Sequence, residues 1–119
     1  MKVVRMDSVA KEEVISSGFT GREVKRQVLL PGSKEYEVNI MNFGKGVRNK
    51  FHAHDFEQIL IITAGKGFIA TETEEKIVTV GDIVLIPAGE KHRHGATKDS
   101  DFSHIFVIRA GNKITHLED

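Results

Sequence analysis

The 119-residue sequence predicts an all-β single domain, a sandwich or small closed barrel, on three observations. Short segments rich in Val, Ile and Phe recur along the chain; Gly-bearing turns separate them; only residues 8–16 could hold a short helix. Residues 24–30 read as a strand stopped by Pro31-Gly32, since Pro cannot donate to a ladder. Tyr36-Glu37-Val38-Asn39-Ile40-Met41-Asn42-Phe43 has the aromatic and β-branched content of a second, closed by Gly44-Lys45-Gly46. Residues 58–63 are apolar without alternation, as expected of a strand covered on both faces. Ala64-Gly65-Lys66-Gly67 is expected to turn the chain into a strand at 68–71. Residues 76–80 lead through the tight turn Gly81-Asp82 into 83–86, and strands around 104–109 and 113–117 complete the chain. No linker, repeat or low-complexity segment divides residues 1–119, and residues 1–20 form an N-terminal extension.

Composition narrows the function classes. Lys plus Arg and Asp plus Glu are both 17, so the net charge is zero and neither nucleic acid nor a strongly charged partner is indicated. There is no Cys, which excludes disulfides, thiolate metal sites and Cys nucleophiles and fits a cytoplasmic location. The start of the chain lacks the apolar run of a signal peptide, and Ile59-Leu60-Ile61-Ile62 is far too short to span a membrane.

The residues that carry chemistry lie in two segments. His52-Ala53-His54 places two imidazoles on one face of an extended strand, because side chains two apart point the same way. A third imidazole, His92, follows the turn Pro87-Ala88-Gly89. Three neutral nitrogen ligands with room left over are the pattern of a catalytic rather than a structural metal site. Pro87 and Gly89 have a geometric role, setting the height at which His92 enters.

Read by spacing, the two segments resemble the motifs of the cupin superfamily. The first motif, Gly-x5-His-x-His-x3-Glu-x6-Gly, is matched over residues 46–65 by Gly46, His52, His54, Gln58 and Gly65. The second, Gly-x5-Pro-x-Gly-x2-His-x3-Asn, is matched over residues 81–96 by Gly81, Pro87, Gly89, His92 and Ala96. Gln58 replaces the usual Glu, and Ala96 the usual Asn. The resemblance implies a double-stranded β-helix, or jelly-roll barrel, holding one divalent metal ion on His52, His54, Gln58 and His92. A narrower resemblance rests on Phe19-Thr20-Gly21, on residues 58–68 and on residues 89–97 followed by His104. These are similar to small cupins that include manganese-dependent hydroxynitrile lyases and cupins accompanying carboxymuconolactone-decarboxylase-like domains. Manganese is therefore the favoured ion, with iron, nickel, cobalt or zinc as alternatives.

Glu57 rivals Gln58 as the fourth ligand, but strand alternation puts Glu57 on the opposite face and only Gln58 keeps the spacing to Gly65. A neutral amide in place of a carboxylate leaves the ion's full charge in a low-dielectric cavity, which favours anionic or oxyanion-forming small molecules. His94, two residues after His92, faces the same cavity if the strand continues, and His104 would come from a neighbouring strand. By resemblance both are candidate acid–base residues; the other reading makes them hydrogen-bonding supports for the ligands. Asn39, Met41, Asn49 and Ile108 are pocket walls by resemblance, Phe43, Phe51, Phe56, Phe68, Phe102 and Phe106 are core or interface, and His116 is a surface residue. The expected activity is a lyase, isomerase or decarboxylase of a small carbonyl or hydroxy compound. A non-catalytic ligand- or metal-binding module and an iron-dependent dioxygenase are the alternatives. A homodimer is expected, since so short a barrel leaves strand edges to cover.

Overall fold

The computed structural model describes all 119 residues. Ten strands follow in chain order: β1 Glu12–Glu13, β2 Val24–Val28, β3 Tyr36–Phe43, β4 His52–His54, β5 Gln58–Ala70, β6 Glu75–Thr79, β7 Ile83–Ile86, β8 Arg93–Ala96, β9 Phe102–Arg109 and β10 Ile114–His116. All pairings are antiparallel, in the order β1-β2-β3-β9-β5-β6, with β7 and β8 also on β5 and a separate ribbon of β4 and β10. The sheet curls around a core of Val24, Met41, Phe43, Leu60, Ile62, Val78, Ile86, Ala96 and Phe102. This is the expected all-β barrel.

The curl depends on β5. A turn was expected at residues 64–67, yet β5 runs unbroken through them. Its first half pairs with β7 and β9 and its second half with β6 and β8, so one bent strand serves both sides of the barrel. The bend coincides with a register shift between Ile62 and Ala64 and with Gly65 at φ 71°, where an added Cβ would run into the Asp101 carbonyl. The glycines thus signal a bulge rather than a chain reversal.

Residues 58–63 were expected to be covered on both faces, but within one chain they alternate. Gln58, Leu60 and Ile62 are buried, whereas Ile59 and Ile61 face outward, opposite Leu85 and Ile83 of β7. The short helix that residues 8–16 could have held does not form. Instead a single 3₁₀ turn spans Met6–Ser8, and β1 pairs with β2. The buried Gln27 explains this: its side-chain amide nitrogen, Nε2, donates to the carbonyls of Met6 (3.3 Å) and Val9 (2.9 Å), tying the segment to β2. At the other end, β10 lies on β4 with His116 opposite His52, and the Glu118 carboxylate accepts the Phe51 N–H at 2.8 Å.

Candidate metal centre

His52 and His54 project from β4, and His92 immediately precedes β8. One ring nitrogen from each of the three lies within 4.8 Å of the others. The Nδ1 of each ring faces an oxygen that can only accept: the Lys50 carbonyl for His52 (2.7 Å), Asn112 Oδ1 for His54 (2.9 Å) and the Glu90 carbonyl for His92 (2.8 Å). Each Nδ1 therefore carries the proton, and each Nε2 keeps its lone pair free. This is the hydrogen-bonding arrangement that fixes imidazole metal ligands.

Gln58, at the start of β5, is 4 % exposed and lines the same cavity as His52 and His54, a space of about 280 Å³. Glu57 is exposed. Two polar atoms here are buried with no hydrogen-bond partner, Gln58 Oε1 and His92 Nε2. Burying such atoms unpaired is costly, so a group that accepts their lone pairs answers the deficit, and a divalent cation does so. Burial, then the neighbouring His92, lowers the His52 pKa to about 4; burial lowers that of His92 as well. His52 and His92 are thus neutral near pH 7, the state a cation requires.

His94, on β8, lies in the cavity wall, and its ring is parallel to that of His92 at 6.0 Å between centroids. His104, on β9, is fully buried behind it and contacts the His94 ring through a nitrogen pair at 3.2 Å. Burial pushes His94 well below the usual imidazole range and His104 down to about 4. Met41, Asn49 and Ile108 line the cavity; Asn39 is buried in the groove beside it. Phe43 and Phe106 also line it, so two of the phenylalanines read as core are pocket walls too. His116 differs from expectation: it is exposed, yet it sits on the cavity rim rather than on remote surface. The pairing of β10 with β4 puts it there, and no local sequence signal announces that long-range pairing. Asn112, which positions His54, lies in the same C-terminal segment and escaped sequence reasoning for the same reason.

An antiparallel barrel whose wall gathers three imidazoles with free Nε2 atoms defines a small β-barrel protein with a candidate metal site. The chain belongs to the cupin family, its residues 39–108 matching the cupin domain. It is 37 % identical over 111 residues to an (R)-mandelonitrile lyase of Granulicella tundricola, covering 90 % of this chain and 83 % of that one. Among solved structures it is similar to a cupin-like protein of Thermotoga maritima, 32 % identical, TM-score 0.83, covering 90 % and 84 % of the two chains. A predicted oxalate decarboxylase of the same organism, 24 % identical with TM-score 0.78 and coverage of 98 % and 100 %, shares the fold.

Proposed function

We propose that this cupin is a metal-dependent lyase or decarboxylase-type enzyme acting on a small hydroxy or carbonyl compound. Its ion would be held by His52, His54, His92 and Gln58, with manganese favoured. The observation that carries the reading is the pair of partnerless buried atoms, Gln58 Oε1 and His92 Nε2, beside imidazoles already fixed as Nδ1–H tautomers. A divalent ion bound there supplies Lewis acidity toward a substrate oxygen. Around it the chain supplies an apolar wall from Met41, Phe43, Phe106 and Ile108, with His94 as the acid–base group on the cavity side. Similarity to a mandelonitrile lyase over most of both chains supports a cyanohydrin as the first substrate to try. The neutral donor set supports a preference for anionic or oxyanion-forming compounds.

The test is elemental analysis of the isolated protein, then reloading with manganese, iron, nickel, cobalt and zinc before assay on cyanohydrins and keto acids. About one ion per chain is expected, with turnover abolished in His52→Ala while the circular-dichroism spectrum is kept. No bound ion under any loading would sink the metal site. Stoichiometric metal without turnover of any compound would favour a binding module instead.

The same reading includes a homodimer. Register places Val38, Val107, Ile59 and Leu85 in one outward row, with Ile105, Ile61 and Ile83 in the next. Leu85 and Ile83 are 59 % and 69 % exposed, on a strand whose outer edge is unpaired. Glu57 and Arg109, exposed charges of opposite sign, stand at the end of this face. A second copy related by a twofold axis is the occupant that matches both its apolar rows and its mixed-charge rim.

A further inference from the structure

Asn49 grips His94 at three points. Its backbone N–H donates to the His94 carbonyl at 3.0 Å, its Oδ1 accepts the His94 backbone N–H at 2.8 Å, and its Nδ2 lies 3.1 Å from His94 Nε2. The backbone contact to Oδ1 fixes which way the amide points, so the group facing His94 Nε2 is an NH₂, with protons to donate and no lone pair to accept. His94 Nε2 must then be bare. Were it protonated, two donors would face each other in a buried site, Asn49 being 8 % and His94 3 % exposed. The His94 proton therefore sits on Nδ1, which lies 3.2 Å from His104 Nε2. That nitrogen in turn must accept, leaving the His104 proton on Nδ1, directed at the Ile105 carbonyl 3.4 Å away.

We propose that Asn49 is a positioning residue that fixes His94 and His104 as a directed chain, donor to acceptor from the Asn49 amide to the Ile105 carbonyl. All four ring nitrogens of the pair are occupied, in contrast to the three metal-cluster rings, whose Nε2 atoms stay open. One lone pair in the chain borders the cavity, His94 Nε2, since Asn49 and His94 line that space and His104 does not. A ligand reaches it only by replacing the Asn49 N–H with a donor of its own. The class of compound selected is therefore one bearing a hydroxyl or N–H beside the oxygen that faces the metal cluster. This deepens the functional reading above and rests on it for the ligand, but the tautomer assignment stands on these hydrogen bonds alone.

The test uses full-length, zinc-loaded protein with ¹⁵N-labelled histidine, the diamagnetic ion keeping all rings visible, and long-range ¹H–¹⁵N correlation. Nδ1–H tautomers are expected for both His94 and His104 in the wild type. In Asn49→Asp the carboxylate can only accept, so the His94 Nε2 resonance is expected to move from the bare to the protonated range with zinc stoichiometry unchanged. A proton on His94 Nε2 in the wild type overturns the inference, as does a bare Nε2 in Asn49→Asp. Should the variant fail to fold, the wild-type spectrum decides alone. Loss of zinc from the wild type would instead strike at the metal-site reading, so the two failures are distinguishable.

Discussion

Asn112 Oδ1 lies 2.9 Å from the Nδ1 of His54, a residue 58 positions away in sequence. The Asn112 amide cannot flip without loss, because its Nδ2 donates to the Arg109 carbonyl at 2.8 Å. His52 and His92 are oriented by backbone carbonyls, which no substitution removes. His54 alone among the three depends on a side chain. Asn112→Ala should therefore lower metal affinity by roughly 10–100-fold while leaving the fold intact. Asn112→Asp, which keeps an acceptor, should recover most of it. Titration against a chromophoric chelator reads both, and an Asn112→Ala affinity equal to wild type would remove Asn112 from the site.

Gln58→Glu replaces a neutral oxygen donor by a charged one in the same buried place. Cancelling one unit of the ion's charge should hold the metal more tightly through dialysis. It should also weaken inhibition by a small anion such as formate by on the order of ten-fold or more. Formate inhibition of the metal-loaded variant, compared with wild type, checks this. Equal inhibition constants would mean that Gln58 does not set the charge of the cavity.

Acid should unfold the metal-free protein early. His52 and His104 have folded-state pKa values of about 4, lowered in both cases chiefly by burial, against an ordinary value of 6.5. The unfolded chain therefore binds protons that the folded chain refuses. The stability held by these rings is complete above pH 6.5, declines as the pH falls below it and is lost once the pH passes 4. The full loss is on the order of 3 kcal/mol for each ring. Thermal midpoints of the metal-free protein across this window should fall steeply. His104→Gln, which can still accept the His94 proton but does not titrate, should flatten the fall. A midpoint independent of pH would contradict the burial of these rings.

The sequence made the barrel and the histidine cluster legible because both depend on local patterns. β3 and β7 keep their expected limits, since alternation and flanking Gly turns are short-range signals. The strand His-x-His and the Pro-x-Gly turn likewise place their imidazoles without knowledge of distant chain. What depends on long-range pairing was not legible. Gly65 and Gly67 read as a turn because a glycine in a bulge and one in a reversal look alike until the Asp101 segment packs against it. The N-terminal segment lies extended because of the Gln27 amide, far from it in sequence. His116 and Asn112 reach the cavity through the pairing of β10 with β4, which has no motif of its own.

The outward rows on β5 and β7 make the last expectation. Ile59 and Ile61 stand opposite Leu85 and Ile83, and these apolar pairs sit on the outside of the barrel, away from the histidine cluster. If a second copy covers them, the protein should elute with about twice its 13.3 kDa mass in light-scattering chromatography. Replacing Ile83 and Leu85 together by Lys puts two like charges into each half of a twofold interface, where neither finds a partner. The double variant should therefore be monomeric, with metal content per chain unchanged because the cluster lies on the inner side. A wild type that elutes at 13.3 kDa, or a double variant that remains dimeric, would show that this face is not the interface.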